Sequence, residues 1–226
     1  MPLPEPHQPT WTAVDALCES MLHAPDPALA AALEESDRAG LPAIAVSPSQ
    51  GKFLHLLARI RGAKRILELG TLGGYSTIWL ARALPASGRL ITLEIDPLRA
   101  EVARRNIERA GIAARVEIRI GPALTELDSM IANGEPAFDM VFIDADKPNN
   151  PAYVERVEKL VVPGSVVVVD NVIRHGEILD DSGTDDRTTG ARRVLALLGS
   201  HPAFDAAALQ TVGVKGYDGF ALAIAR

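Results

Sequence analysis

The chain has 226 residues, 47% of them hydrophobic and 23% charged, and a formal net charge of −6. That is enough chain for one α/β domain burying roughly 70% of its unfolded surface, and the acidic balance speaks against polyanionic partners, whether nucleic acid or anionic membrane. A single cysteine, Cys18, excludes an internal disulfide. No apolar run reaches the roughly 18 residues of a membrane span, and Met1 to Gln8 lacks the basic and apolar regions of a signal peptide, so a cytoplasmic protein is expected.

In chain order, Pro2 to Pro9 reads as an irregular arm. Apolar residues recur at helical spacing from Trp11 to Leu22, which puts Cys18 in a helix core, and again from Pro27 to Arg38, with Gly40-Leu41-Pro42 as the stop. Ser47-Pro48-Ser49-Gln50 is a capping box with proline at the first helical position, and Phe53, Leu56, Leu57 and Ile60 continue it as one apolar stripe. Then strands and helices alternate. Strands are expected at 66–69, 90–94, 116–120, 138–143 and 165–169, with helices from Tyr75, over Pro97 to Ala110, near Leu124 to Asn133 and from Tyr153 to Leu160. After a polar loop from Ile173 to Asp186 come a helix over Thr188 to Leu198 and two strands, 207–212 and 220–224. The seven residues between those two strands are too few for a parallel crossover. The fold predicted is α/β: a doubly wound, mostly parallel seven-stranded sheet with an antiparallel last strand and N-terminal helices added.

The stretch Ile66 to Ser76 reads as a ligand loop, a buried strand running into Gly70, Gly73 and Gly74 and then a helix start whose amides can point at a bound molecule. The dinucleotide fingerprint fails, because Leu72 and Tyr75 stand where its second and third glycines belong. Glu68 narrows the choice further: a carboxylate there repels a polyphosphate and welcomes a cation. Glu94, ending the next strand, suits ribose hydroxyls. Tyr75 and Trp79, four apart, read as packing on one helix face, and His55 as structural.

Ligands of open α/β sheets bind outside the carboxyl ends of the strands. Those ends carry Glu68, Glu94, Asp144 with Asp146, and Asp170 with Asn171. Such carboxylates repel one another unless cations join them. An ammonium and sulfonium ligand near Glu68 and a divalent metal near Asp144 and Asp170 satisfy the arrangement. Asp144, Asp170 and Asn171 offer only oxygens, which matches Mg²⁺, Mn²⁺ or Ca²⁺. The five histidines are dispersed and exclude a zinc site.

Taken together, Glu68-Leu69-Gly70-Thr71 with Gly74-Tyr75-Ser76, Glu94-Ile95-Asp96, Gly121-Pro122-Ala123, Phe142 to Lys147 and Asp170-Asn171 resemble the metal-dependent, S-adenosylmethionine-using O-methyltransferases related to caffeoyl-CoA and catechol O-methyltransferases. The resemblance spans about Ser47 to Ala225. It implies a Rossmann-like class I methyltransferase, one domain over 1–226 with arm and helices in 1–46 and a catalytic core in 47–226. It further implies that Glu68, Gly70 and Ser76 contact the methionine part of S-adenosylmethionine, that Glu94 holds the ribose, that Ala123 lies beside the adenine, and that Tyr153 lies near the cofactor. Val46, Thr71, Gly74, Ile95 and Asp144 complete the cofactor set implied. Asp144, Asp170 and Asn171 would hold the metal, Mg²⁺ foremost, and Lys147 with Asp144 would be catalytic, on a small phenolic or catechol-type acceptor in a homodimer. The sequence departs from the pattern at Arg174, where many members place an aromatic. An NAD(P)-dependent oxidoreductase, a nucleic-acid methyltransferase and a non-catalytic nucleoside-binding module are the alternative readings.

Overall fold

In the computed structural model, which describes residues 7–180, 182 and 184–226, three helices precede the first strand: α1 (Gln8–Leu22), α2 (Pro27–Arg38) and α3 (Pro48–Arg61). Most of the expected proline-rich arm lies outside the described residues. Its end does not behave as an arm, since α1 already begins at Gln8 with Pro9 in the first turn, where a missing N–H leaves no bond unmade. Asp26 caps α2 by accepting from the N–H groups of Ala28 and Leu29, and Ser47 caps α3 by accepting from Gln50 N at 3.2 Å. The side chain of Gln50, expected to complete a capping box, reaches instead to Asp170 Oδ2 at 2.7 Å.

Strands β1 (Arg65–Leu69), β2 (Arg89–Glu94), β3 (Val116–Ile120), β4 (Phe138–Ile143) and β5 (Val161–Asp170) alternate with helices α4 (Tyr75–Ala83), α5 (Pro97–Arg109), α6 (Ala123–Ala132) and α7 (Asn150–Val157). Helix α8 (Asp186–Ser200) and strands β6 (Phe204–Gly213) and β7 (Gly216–Ala225) complete the chain. The sheet order is β3-β2-β1-β4-β5-β7-β6, with β7 antiparallel to both neighbours and the other pairs parallel. The doubly wound sheet with an antiparallel last strand is therefore observed. The link between the last two strands is shorter than expected: both extend to a Gly213–Gly216 pair, which leaves only Val214 and Lys215 in the turn.

Strand alternation divides the core between the two faces. Leu67, Leu69, Val141 and Ile143 pack with α6, α7 and α8, while Ile66, Met140 and Phe142 pack with α2, α3, α4 and α5. The order reverses between β1 and β4, the switch point at which an open α/β sheet leaves a crevice. There Gly70, with φ +94°, sits so close to the next strand end that an added Cβ would lie 2.5 Å from Asp144 O. Among the described residues, no helix is long and apolar enough to cross a membrane.

Cys18 corrects an expectation. Helix α1 buries none of its residues, and Val14, Leu17, Met21 and Leu22 are 52–74% exposed. Polar contacts hold it to the β6–β7 turn, Gln8 Nε2 donating to Gly213 O at 3.0 Å and Val214 N donating to Asp15 Oδ2 at 2.7 Å. Periodicity makes an apolar stripe, and among the described residues too little surface meets α1 to bury it. The exposed thiol is thus expected to react with a thiol-specific dye in the native protein at the rate of a small-molecule thiol. Labelling that waits for denaturant would show α1 packed elsewhere.

Candidate active site

One cavity of about 690 Å³ lies along the carboxyl ends of β1 to β5. Its floor is the turn after β1. Gly70, Thr71, Leu72, Tyr75 and Ser76 line it, followed by Glu94 and Ile95 after β2 and by Gly121, Pro122 and Ala123 at the start of α6. Asp144 to Asn149 follow β4, Tyr153 projects from α7, and Asn171, Arg174 and Arg187 close the far side. Ile44, Ala45 and Val46 line it too, so the expected division at residue 47 does not divide the cavity.

Glu94 clamps the loops after β1 and β2. Its Oε2 accepts from Thr71 N at 3.3 Å and Leu72 N at 2.8 Å, and its Oε1 from Ile95 N at 3.0 Å and Asp96 N at 3.1 Å. Each oxygen thus takes two backbone donors, and a ribose would have to displace at least one of them. Asn106, fully buried on α5, steadies the glycine turn by donating to Gly73 O at 2.9 Å.

Three residues expected at the ligand are not on the cavity wall. Glu68 is fully buried, because its strand register opposite Thr92 turns it toward α4, beneath the turn. The hydroxyls of Ser76, Thr77 and Thr92 donate to it at 2.6, 2.5 and 2.8 Å. Burial nonetheless pushes its carboxyl up to about 7. The group that meets the cavity is Ser76, and the charge expected to face a cation lies behind it. Gly74, with φ +82° at the N-terminus of α4, faces Ala103 of α5 and serves helix packing. Asp170 lies behind Asn171, fully shielded, with Oδ2 taken by Gln50 and Oδ1 by the N–H of Asn171 at 2.8 Å.

In the acid cluster after β4 and β5, Lys147 is ion-paired. Lys147, only 8% exposed, donates Nζ to Asp144 Oδ1 at 2.7 Å. Burial first, and then the negative charge of Asp144, push the Asp170 carboxyl up to about 7. Two carboxylates that crowd each other beside an amide form an oxygen donor set that suits a hard divalent cation. Asn171 holds φ +56°, a left-handed conformation uncommon outside glycine and tolerated by asparagine. Among the described residues, no three His, Cys, Asp or Glu side chains group as a metal site. Tyr153 donates its hydroxyl to Asp146, and burial together with that carboxylate pushes the phenol well above its usual range.

Comparison with known proteins decides what kind of enzyme this is. The O-methyltransferase family model matches residues 22–222. The chain belongs to that family. It is 57% identical over 219 residues to a protein of Mycobacterium tuberculosis named catechol O-methyltransferase, covering 97% of this chain and 98% of that one. It is 54% identical over 216 residues to a protein of the same name from Niastella koreensis, with 96% and 98% covered. The crystal structure of the O-methyltransferase from Bacillus cereus in complex with SAH superposes with a TM-score of 0.96 at 51% identity, covering 97% of this chain and 100% of that one. The methyltransferase reading therefore displaces the oxidoreductase and the non-catalytic module.

No sign in the sequence marked Gln50 as a partner of Asp170 or put Arg99 and Arg187 on the cavity wall, whereas Tyr75, expected to pack, is buried in the core and also borders the cavity. Only Arg174 carried a signal, as a departure from the family pattern. None of the others has a local pattern, since each reaches the site through tertiary packing.

The methyltransferase should show two consequences of this geometry. Glu68 releases its proton near 4.5 when unfolded and near 7 when folded. Between those values the folded state holds the extra proton, so stability falls as pH rises through the window, by an amount on the order of 1–3 kcal/mol. Denaturant melts from pH 4.5 to 7.5 should show this loss, and Glu68→Gln should reduce it, leaving the part that the raised Asp170 carboxyl contributes in the same window. Gly190, on α8, lies where an added Cβ would stand 2.1 Å from Lys147 O. Gly190→Ala should displace the Lys147 turn and lower methyl-transfer kcat by roughly tenfold or more, with secondary structure by circular dichroism retained.

Proposed function

We propose that this methyltransferase moves the methyl group of S-adenosylmethionine to one hydroxyl of a small catechol-type or phenolic acceptor, with a divalent metal, Mg²⁺ before Mn²⁺ or Ca²⁺, on Asp144, Asp170 and Asn171. The observation that carries the reading is Lys147 paired with Asp144 on the wall of a cavity beside the crowded Asp144 and Asp170. The names of the relatives and the SAH in the Bacillus cereus protein support the acceptor class and the donor.

Bound there, the metal supplies Lewis acidity toward an acceptor hydroxyl, and two adjacent hydroxyls chelate one ion better than a single one. The protein does the rest by placement. The turn after β1, held by Glu94, and Ser76, whose hydroxyl donates to Glu68 and keeps its lone pairs for a ligand donor, border the amino-acid part of the donor molecule. Glu94 and Ile95 border the ribose, while Val46, Ala123 and Tyr153 wall the same cavity. Lys147 Nζ, paired with Asp144 at 2.7 Å, would have to give up its own proton to solvent first and, as the neutral amine, take the proton of the attacking hydroxyl. Aligning two bound reactants is worth up to roughly 7–11 kcal/mol in well-oriented systems, more than any single contact here.

A homodimer belongs to the proposal. Support comes from Leu209 and Val212 of edge strand β6, about half exposed.

Labelled S-adenosylmethionine with a catechol panel tests the function. Product should form with Mg²⁺, vanish with a chelator and return on adding the metal back. Asp144→Ala should lose at least about a hundredfold of that turnover while melting cooperatively. Full turnover in chelator would remove the metal from the proposal.

A further inference from the structure

Two arginines on the cavity wall are left without a task by this chemistry. Arg174 follows β5 in a short turn where both it and His175 hold positive φ, +53° and +56°. Asp218 fixes that turn, its Oδ1 accepting from Arg174 N at 2.8 Å and Ile173 N at 3.2 Å. The backbone thus spends strain to present this side chain to the cavity. The Nε of Arg174 is shut off from solvent and meets no acceptor among the described residues. A buried, unpaired N–H is costly, and a guanidinium has five donors and no way to accept.

Arg187 stands at the second position of α8, where the helix dipole disfavours a cation. Close packing of Gly190 on the backbone of Lys147 and Pro148 brings that end of α8 to the wall carrying Asp144 and Asn171. Neither arginine forms a salt bridge with a described carboxylate. Asp185, the acid adjoining α8, is committed to Thr188, accepting from its N–H at 2.7 Å and its hydroxyl at 2.6 Å.

We infer that Arg174 and Arg187 form a carboxylate subsite at the acceptor end, so that the favoured acceptor is a catechol acid, a ring with two adjacent hydroxyls and a free carboxylate. This rests on the catechol reading above. An anion between the two would pair the orphaned Nε and relieve the cation at the helix start. The planar fork of arginine matches a carboxylate with two parallel bonds. It also accounts for the departure from an aromatic at position 174, since a ring can stack on the acceptor but cannot bind its charge.

The test measures methyl transfer to dihydroxybenzoic acid, its methyl ester, unsubstituted catechol and the coenzyme A thioester of the acid, with S-adenosylmethionine and Mg²⁺. In the wild type the acid should exceed its ester in kcat/KM by about tenfold or more, through KM. Arg174→Gln should bring that ratio near one, Arg174→Lys should keep part of it, and Arg187→Gln should lower it less, because Arg187 is exposed. Equal use of acid and ester by the wild type overturns the subsite, as does a ratio unchanged in both glutamine variants. Preference for the thioester over the acid assigns the arginines to phosphate and also overturns it. Weakened S-adenosylmethionine binding by Arg174→Gln, in step with the lost preference, assigns them to the donor and does the same. Should Arg174→Gln not fold, the wild-type ratio and Arg187→Gln decide. Transfer to neither acid, ester nor catechol overturns the catechol reading and the subsite with it, whereas transfer to catechol without acid preference leaves that reading standing.

Discussion

The close approach of Gly70 to the backbone of Asp144 is the constraint on which the site depends. Neighbouring parallel strands end side by side at the reversal of sheet order, and Asp144 N still donates to Leu69 O at 2.8 Å while Gly70 N donates to Leu93 O at 3.0 Å. The ladder therefore persists to the point where the chains part. A side chain at Gly70 would wedge β1 from β4. Without that contact the turn after β1 and the acid cluster after β4 would not share a cavity, and a methyl donor and its acceptor could not be held in line.

Around this junction the carboxylates have separate fates, set by what each strand register places against them. Glu68 is absorbed by hydroxyls, and Glu94 by backbone amides that it binds together. Only Asp144 and Asp170 remain crowded, with Lys147 between them in charge but not in number. The crowding of carboxylates is thus local to the β4 and β5 ends. At the other end of the cavity the acids are hydrogen-bonded by the chain's own hydroxyls and amides.

Much of this was legible in the residues. Mainly apolar runs at 66–69, 138–143 and 165–169, interrupted by Glu68 and Asp139 and opened by Ser165, read as strands buried on both faces, and the short final connection forces an antiparallel pair. Glycine at Gly70 and Gly74 carried its meaning too, because positive φ is a backbone demand visible residue by residue. Illegible were contacts across long separations: Gln50 to Asp170, Asn106 to Gly73, Gly190 against Lys147. Cys18 was misjudged for the same reason, since an apolar stripe reports a preference for burial and not a surface to be buried on.

By itself the sequence determined the element order, the sheet, and the family-specific residues at the strand ends, because period, glycine position and residue chemistry are local properties. Tertiary structure alone decided which of those residues face the cavity. A side chain one position along a strand points to the opposite face, and a turn of backbone decides whether an acid meets ligand or hydroxyl. So Glu68 lies beneath the site, Asn171 stands on its wall, and Arg174, just past the Asp170-Asn171 pair, and Arg187 line the same cavity.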